Sequence, residues 1–317
     1  MKRTILTLCA GLACASTLAA NAPKAEVTKW QGGCKAVFFL AFDDGCNSHL
    51  SNVIPRLNKY KLPGSFYLIP SAGWFGPNRA KWVEAVKSPY VIPANHTFDH
   101  GDMADLAAFE ASIAKAQDFL KDLTPDQKWP RFISYGRPGV KTFNVTNEQE
   151  AEALKRQHIV DRPPYHGPPF YMGQTEQALK LIDDTIAAGG LEHLDFHGVG
   201  GEWLQATPEY LEAVLKKLDE RRAEIWTTTP SNHHKYMTER NAAKLKVVSA
   251  TPLSVKFELS CDLDTQFYDL PLTVAVNATG WKEAKATVNG KPAPVVIRDG
   301  KAMVDVLSGK VVVTKVK

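Results

Sequence analysis

Two adjacent carboxylates, Asp43 and Asp44, end an apolar run that begins at Phe38. An uninterrupted run of this kind predicts a strand that is buried on both faces, and Gly45 predicts a sharp turn after it. Burying ionised carboxylates is costly unless they are paired or bind a metal. The pair therefore either faces a cavity that holds a cation or a proton, or caps the helix that follows, since Asp also favours helix N-termini.

Two histidines, His96 and His100, stand four residues apart after a short predicted strand that ends at Ile92. On a helical turn this spacing lets both rings face one point and hold a metal. Thr97 stands where the zinc proteases with a His-Glu pair need glutamate, which excludes that class. The alternative is a pair of surface histidines.

A further histidine, His197, follows the apolar run that starts at Leu191. At the end of a strand, a histidine is placed to act as a general acid or base. A structural histidine is the alternative at this position.

The elements that must position these side chains are strands alternating with amphipathic helices. Seven strand-like runs precede residue 244, which predicts a parallel sheet with helices outside, closed or nearly closed into a barrel. Functional residues of such barrels lie at the C-terminal ends of the strands. We therefore expect Asp43, His96 and His197 to share one rim.

The pattern changes near residue 244. Short strand-like runs with hairpin signals at Asn289-Gly290 and Asp299-Gly300 predict a small, sandwich-like all-β accessory domain over residues 244–317. This domain is either a packing domain that covers the barrel or a sugar-binding module.

Residues 1–22 have the pattern of an export signal. A basic start at Lys2 and Arg3 precedes an apolar stretch that is too short to span a bilayer, and small residues follow it. We expect an exported protein, periplasmic or secreted, without a stable membrane span; an N-terminal anchor is the alternative, and lipid attachment at Cys14 is disfavoured.

A glycosylation triplet, Asn95-His96-Thr97, overlaps the histidine motif. A glycan on Asn95 would obstruct His96, so we favour a bacterial exported protein, which avoids this conflict.

The overall charge excludes one class of partner. The formal net charge is +4 over 317 residues, and the chain contains no Lys/Arg-rich block. Nucleic-acid-binding domains carry a much stronger basic patch, so we expect no nucleic-acid partner.

Taken together, these motifs resemble those of the polysaccharide deacetylase family, which are carbohydrate esterases with a distorted barrel. Phe42-Asp43-Asp44-Gly45 is similar to the family's first motif, with Ala41 in place of its threonine. The segment from Asn95 to His100 is similar to the second motif, and Leu194-Asp195-Phe196-His197 to the last. The resemblance covers residues 34–243 and implies a distorted seven-stranded (β/α) barrel as the main domain, residues 23–243.

The resemblance also implies a reaction, the removal of acetyl groups from an acetylated carbohydrate. Asp44, His96 and His100 would bind a divalent metal, usually Zn²⁺, which makes water more acidic. Asp43 would be the general base and His197 the general acid that protonates the leaving group.

The third motif of the family, which contains an arginine, is where this chain departs. Arg137 lies at the position in the chain that corresponds to this motif. The segment Arg162-Pro163-Pro164-Tyr165 is more similar to the motif in sequence but follows the next strand. The residue that orients Asp43 is therefore Arg137 or Arg162, unless both are only loop residues. Trp203 and Trp226 are candidate walls of a sugar site, because aromatic faces pack well on sugars; for Trp226 core packing is the alternative.

The sequence thus predicts a metal-dependent carbohydrate deacetylase. Two alternatives stay open: a non-catalytic carbohydrate-binding protein on the same barrel, and a related metal-dependent hydrolase acting on a different amide or ester. Chitin-like, peptidoglycan-like and xylan substrates, and N- and O-linked acetyl groups, all fit the motifs.

Overall fold

The chain forms two compact units in a computed structural model that describes residues 25–316. The larger unit contains Lys29–Ala242 and Leu263–Leu270, and the smaller unit contains residues 25–28, Ala243–Asp262 and 271–316. The boundary between the units, after Ala242, is close to the one predicted near residue 244. Two short segments, residues 25–28 and Leu263–Leu270, belong to the other unit from the one predicted. The predicted export signal, residues 1–22, lies outside the described residues.

Each of the two segments has a physical reason for its place. Strand β1 (Ala25–Val27), predicted as part of the barrel domain, pairs antiparallel with Leu272–Asn277 of the smaller unit. In the larger unit, the ring centroids of Phe267 and Tyr268 lie 5.4 and 5.3 Å from that of Phe132. Both segments are too short to give a periodic sequence signal, so only their tertiary contacts assign them.

A parallel sheet of seven strands forms the larger unit, which confirms the predicted α/β class with a distorted (β/α) barrel. The strands are β2 (Ala36–Asp43), β3 (Gly64–Leu68), β4 (Val91–Asn95), β5 (Ile133–Tyr135), β6 (Ile159–Asp161), β7 (Leu191–Phe196) and β8 (Ile225–Thr228). Their hydrogen-bonded order is β6-β5-β4-β3-β2-β7, and β8 pairs with the first half of β2. Because the strands are parallel, their carboxyl ends share one rim.

Strand β2 is buried along its whole length, as its apolar sequence predicts. Phe38 and Phe42 belong to the main core between sheet and helices, whereas Phe39 and Ala41 belong to separate clusters on the opposite face. Side chains alternate along a strand. Asp43 therefore lies on the face of Phe39 and Ala41, which is the interior of the barrel.

Strand β4 continues to Asn95, beyond the end predicted at Ile92. Proline cannot donate a ladder hydrogen bond, so Pro93 indicated the end of the strand. The structure accommodates Pro93 because β4 and β5 pair only at Asn95 and Tyr135. This extension carries the chain to His96 at the rim.

The barrel is distorted because its sheet does not close between β6 and β7. Among residues 25–316 no ladder joins these two strands. The loop after β6 lies beside β7 instead, and the amide of Asp195 donates to the carbonyl of His166 at 3.0 Å. A Cβ on Gly167 would lie 2.0 Å from the carbonyl oxygen of Asp195, so only glycine allows this close approach.

In the part of the chain that the structure describes, seven α-helices accompany these strands. They are α1 (Ile54–Tyr60), α2 (Arg79–Ala85), α3 (Leu106–Leu123), α4 (Asn147–Arg156), α5 (Thr175–Ala188), α6 (Pro208–Glu220) and α7 (Pro230–Ala242). The predicted capping pattern at the start of α4 is present as a full capping box between Thr146 and Gln149. Within residues 25–316 no helix has the length and apolar character that crossing a bilayer requires.

The smaller unit consists of antiparallel strands, as predicted for an all-β domain. They are β9 (Lys244–Thr251), β10 (Ser254–Ser260), β11 (Leu272–Asn277), β12 (Ala284–Val288), β13 (Lys291–Ala293), β14 (Val296–Arg298), β15 (Lys301–Val306) and β16 (Gly309–Lys315). One sheet has the order β1-β11-β15-β14 and the other β13-β12-β16-β10-β9. Both predicted hairpin turns are present, with positive φ at all four turn residues, Asn289-Gly290 and Asp299-Gly300.

Candidate active site

The predicted site residues of the barrel meet at the rim formed by the strand ends. Asp43 ends β2, His96 follows β4, Arg162 follows β6 and His197 follows β7. All four line one cavity of about 1400 Å³. The parallel topology thus brings together residues that are more than 150 positions apart in the chain.

Asp44, His96 and His100 form a cluster in this cavity. Oδ1 of Asp44 lies 3.3 Å from Nε2 of His96 and 4.0 Å from Nε2 of His100. One donor atom from each side chain lies within 4.8 Å of the others. The two imidazole nitrogens and one carboxylate oxygen match the donor set of a catalytic zinc site with an open position.

The surroundings of the cluster fit a bound cation. Nδ1 of His96 lies 2.7 Å from the carbonyl oxygen of Gly136, so Nδ1 carries the hydrogen and the Nε2 lone pair faces Asp44. The indole of Trp203 donates to Oδ2 of Asp44 at 2.6 Å. Oδ1 is buried and has no hydrogen-bond donor in the described part of the chain. A buried carboxylate oxygen of this kind needs a positive partner, which a divalent cation would supply.

The backbone that presents the two histidines is a loop and not the predicted helical turn. Thr97 and His100 have left-handed φ values of 63° and 52°, and Asp44 has 68°. The Asn95 side chain accepts from the amide of Thr97 at 2.9 Å, and the Thr97 hydroxyl accepts from the amide of His100 at 3.1 Å. Left-handed backbone is unfavourable for such residues. Three residues with left-handed backbone therefore lie where the metal-ligating side chains converge.

The charges in the cluster shift its pKa values in opposite directions. Burial disfavours the ionised form of Asp44, but the adjacent His96 lowers the Asp44 pKa well below its usual value. Burial also disfavours charged His96, yet the nearby carboxylates of Asp43 and Asp44 raise its pKa. Burial and the neighbouring His96 lower the pKa of His100. Asp44 is therefore an anion throughout the neutral range.

Asp43 is held by Arg162. Nη1 of Arg162 donates to Oδ1 of Asp43 at 2.8 Å, and Nη2 donates to Oδ2 at 2.6 Å. Nη1 also donates to Oδ1 of Asp195 at 2.8 Å. Burial alone would raise the pKa of Asp43, but the guanidinium of Arg162 lowers it below its ordinary value. Asp43 is thus an ionised carboxylate in a fixed orientation.

The geometry separates the two arginines that the sequence left as alternatives. Arg137 follows β5 but turns away from Asp43, and its Nη1 lies 3.5 Å from Oε2 of Glu150. Its guanidinium packs 3.8 Å from the ring centroid of Phe143. Arg137 lines the cavity with its side chain 43% exposed, whereas the Arg162 side chain is 6% exposed. Arg162 is the residue that orients Asp43.

His197 lies in the same cavity, beside both carboxylates. Its Nε2 is 3.9 Å from Oδ2 of Asp43 and 3.8 Å from Oδ2 of Asp44. Its carbonyl oxygen accepts from Nε2 of His49 at 2.7 Å, and its ring lies 5.3 Å from that of Tyr165. The Nε2 edge of His197 therefore faces the same point as the carboxylates.

The two tryptophans have different places. Trp203 lines the cavity, as predicted for a sugar wall, and adds the hydrogen bond to Asp44. Trp226 does not line the cavity, so its candidate role as a sugar wall is wrong; it packs against Trp30, Val37 and Phe39, as the core-packing interpretation predicted. Trp226 is paired with Val37 on β2. Val37 is six residues before Asp43, which is roughly 20 Å along the strand, so Trp226 lies far from the rim.

The sequence analysis missed other residues of the site. Asp195 stands in the last motif without a predicted role, although it accepts hydrogen bonds from Arg162 and from the amide of His166. The alternation of β7 places His193, Asp195 and His197 on one face, which was a usable signal. The alternative that Asp43 and Asp44 cap the next helix is wrong, because that helix begins at Asn47 and the two carboxylates accept from Arg162 and Trp203 instead.

The fold and the site together define an α/β-barrel protein with a candidate metal centre at its strand ends. Residues 31–155 match the sequence model of the polysaccharide deacetylase family. The match confirms the predicted resemblance over the segment that contains the first two motifs. Arg162 and His197 lie beyond it.

Individual relatives add the following similarities. A gellan lyase from a Bacillus species is 34% identical over 91 residues, and this stretch is 28% of the chain and 4% of that protein. A family 4 carbohydrate esterase from Streptomyces lividans, solved with acetate, is 13% identical with a TM-score of 0.45, covering 62% of this chain and 93% of that one. The peptidoglycan deacetylase PdaC from Bacillus subtilis is 15% identical with a TM-score of 0.46, covering 65% and 94%. A family 4 pseudoenzyme from Bacillus anthracis is 15% identical with a TM-score of 0.41, covering 60% and 63%.

Proposed function

We propose that this protein is a metal-dependent hydrolase that removes acetyl groups from a carbohydrate. The observation that carries the proposal is the convergence of Asp44, His96 and His100 beside an ionised Asp43 and the imidazole of His197. The match of residues 31–155 to the polysaccharide deacetylase family supports the same reaction.

Asp44, His96 and His100 would hold the cation, for which Zn²⁺ is our choice because imidazole and carboxylate ligands with an open position suit it. When bound, such a cation supplies Lewis-acid chemistry, lowering the pKa of water and polarising an acyl oxygen. Trp203 and the backbone carbonyl of Gly136 keep the donor atoms oriented.

The chain's own residues then divide the proton transfers. Asp43, kept ionised by Arg162, accepts a proton from the attacking water at a carboxylate oxygen. His197 gives a proton from Nε2 to the leaving nitrogen or oxygen of the sugar. The two roles require opposite protonation states, an ionised Asp43 and a protonated His197. The guanidinium of Arg162 supports this assignment because it keeps Asp43 ionised.

The cavity supports a carbohydrate substrate. Its volume of about 1400 Å³ exceeds that of a typical small-molecule pocket, and aromatic side chains line it at Tyr165, Phe170 and Trp203. Such faces pack against sugar rings. We also propose export to the periplasm or the medium, on the pattern of residues 1–22 and the access to polysaccharides that export would give.

The test is acetate release from acetylated chito-, peptidoglycan- and xylo-oligosaccharides, measured with and without a chelator. We expect release that the chelator abolishes and Zn²⁺ restores, and that Asp43→Asn reduces by about 1000-fold. Oligosaccharide binding without acetate release would support the non-catalytic alternative. Release of other products, identified by mass spectrometry, would support a hydrolase with a different amide or ester substrate.

A further inference from the structure

A second group of metal-ligating side chains lies at the gap between β6 and β7, outside the cluster at Asp44. Nδ1 of His166 and Nδ1 of His193 lie 3.9 and 4.0 Å from the same atom, Oε2 of Glu192. One donor atom from each of the three residues lies within 4.8 Å of the others. None of the three lines the catalytic cavity. We propose that His166, Glu192 and His193 form a second binding site for a divalent transition-metal cation.

His193 is oriented as a ligand by its other ring nitrogen. Its Nε2 lies 2.9 Å from the carbonyl oxygen of Pro164 and 3.3 Å from Oδ2 of Asp195. Both partners are acceptors, so Nε2 carries the hydrogen. The lone pair is therefore on Nδ1, the atom that faces Glu192. A hydrogen bond from the far nitrogen to a carbonyl or carboxylate is the usual support of a metal-bound histidine.

The backbone of His166 is fixed on both sides. Its amide donates to Oδ2 of Asp195 at 2.7 Å, and its carbonyl accepts from the amide of Asp195 at 3.0 Å. The ring centroid of His166 lies 5.7 Å from that of His193, with 64° between the ring planes. The two imidazoles thus stand edge to face around one point, not stacked against each other.

The spacing of the donors resembles that of the catalytic cluster. There the oxygen-to-nitrogen separations are 3.3 and 4.0 Å, against 3.9 and 4.0 Å here. Tetrahedral ligands of zinc lie about 3.3 Å apart. Side-chain rotations of Glu192 and His166 would close the difference, and both side chains have room to rotate because they are 40% and 26% exposed. The exposed side leaves room for water as a further ligand.

The position of the site defines its role. Glu192 and His193 belong to β7, whereas His166 belongs to the loop after β6 that also contains Arg162 and Tyr165. A cation on all three residues fixes this loop to β7 where the sheet lacks a ladder. The site is therefore structural.

The test measures the number of zinc ions bound per chain of the purified protein. After metal removal and equilibration with Zn²⁺ at neutral pH, mass spectrometry should find two ions per wild-type chain. Glu192→Gln and His166→Ala should each lose one ion, and His100→Ala should lose the other. Glu209→Gln, an exposed glutamate on α6, is the matched control and should keep both.

A second measurement separates binding from misfolding. Zn²⁺ should raise the Tm of the His100→Ala variant, and this increase should vanish when Glu192→Gln is added. Circular dichroism of each variant verifies its fold. If Glu192→Gln and His166→Ala retain the wild-type zinc count, or if His100→Ala removes all bound zinc, the second site does not exist.

Discussion

Arg162 donates parallel hydrogen bonds to both carboxylate oxygens of Asp43, at 2.8 and 2.6 Å, although the two residues are 119 positions apart. The guanidinium also contacts Asp195 and lies 4.4 Å from the ring centroid of Tyr67. All four groups are buried. This arrangement fixes both the charge and the orientation of the proposed general base.

Replacement of Arg162 by lysine should impair turnover more than binding. Lysine keeps a positive charge but cannot make two parallel bonds to a carboxylate. We expect Arg162→Lys to lower kcat by about 100-fold with a smaller change in KM, because general-base catalysis contributes about 10² to 10⁴. Steady-state kinetics of acetate release measures both. Arg156→Lys, which replaces a surface arginine paired with Glu110, is the control. Equal kcat in the two variants would show that the paired geometry is unimportant.

Trp203 should support the metal affinity of the catalytic cluster. Its indole holds Oδ2 of Asp44, and loss of such a supporting bond typically weakens metal binding about 10- to 100-fold. Trp203→Phe should therefore raise the Kd for Zn²⁺ by at least about tenfold, measured by competition with a chelating dye. Trp74 is the matched control, because its indole donates to the backbone carbonyl of Asp44 and not to the carboxylate. If Trp74→Phe weakens zinc binding as much, the carboxylate bond is not the cause.

Gly167 should tolerate no side chain. A Cβ there would lie 2.0 Å from the carbonyl oxygen of Asp195, so Gly167→Ala must displace the loop after β6. Overpacking of this kind costs about 1–3 kcal/mol in the free energy of unfolding, which urea denaturation measures. Gly190→Ala adds the same methyl group where no heavy atom lies within 4 Å. An equal loss of stability in both variants would contradict the close approach seen here.

Glu239 should make stability depend on pH. Burial raises the pKa of this carboxyl from 4.5 to about 7, against the hydrogen bond from the Leu270 amide. The folded state thus retains a proton that the unfolded chain releases from about pH 4.5. The stability that this proton provides is complete below pH 4.5 and is lost as pH rises through about 7, by roughly 3 kcal/mol.

The measurement is urea denaturation of wild type and Glu239→Gln between about pH 4.5 and 8. The difference in unfolding free energy should move in favour of the glutamine variant as pH rises. Glu209→Gln, at an exposed position, should follow the wild type over the same range. A pH-independent difference between wild type and Glu239→Gln would show that Glu239 does not retain its proton.

The sequence by itself predicted which strands carry the site residues and the chemistry of those residues. Asp43 ends a strand, and Asp44, His96 and His197 each follow one directly. A parallel sheet places such positions at one rim whatever the details of packing. Local patterns such as the capping box at Thr146 and the turn at Asn289-Gly290 were equally readable, because they depend on neighbours in the chain.

Tertiary structure decided what depends on distant contacts. It selected Arg162 over Arg137 because the sheet is open between β6 and β7, so the loop after β6 enters the interior beside Asp195. It placed Trp226 in the core because Trp226 pairs with Val37, near the start of β2 and far from the rim. No spacing along the chain encodes either relationship, since both arise from how the strands are ordered and how far each extends.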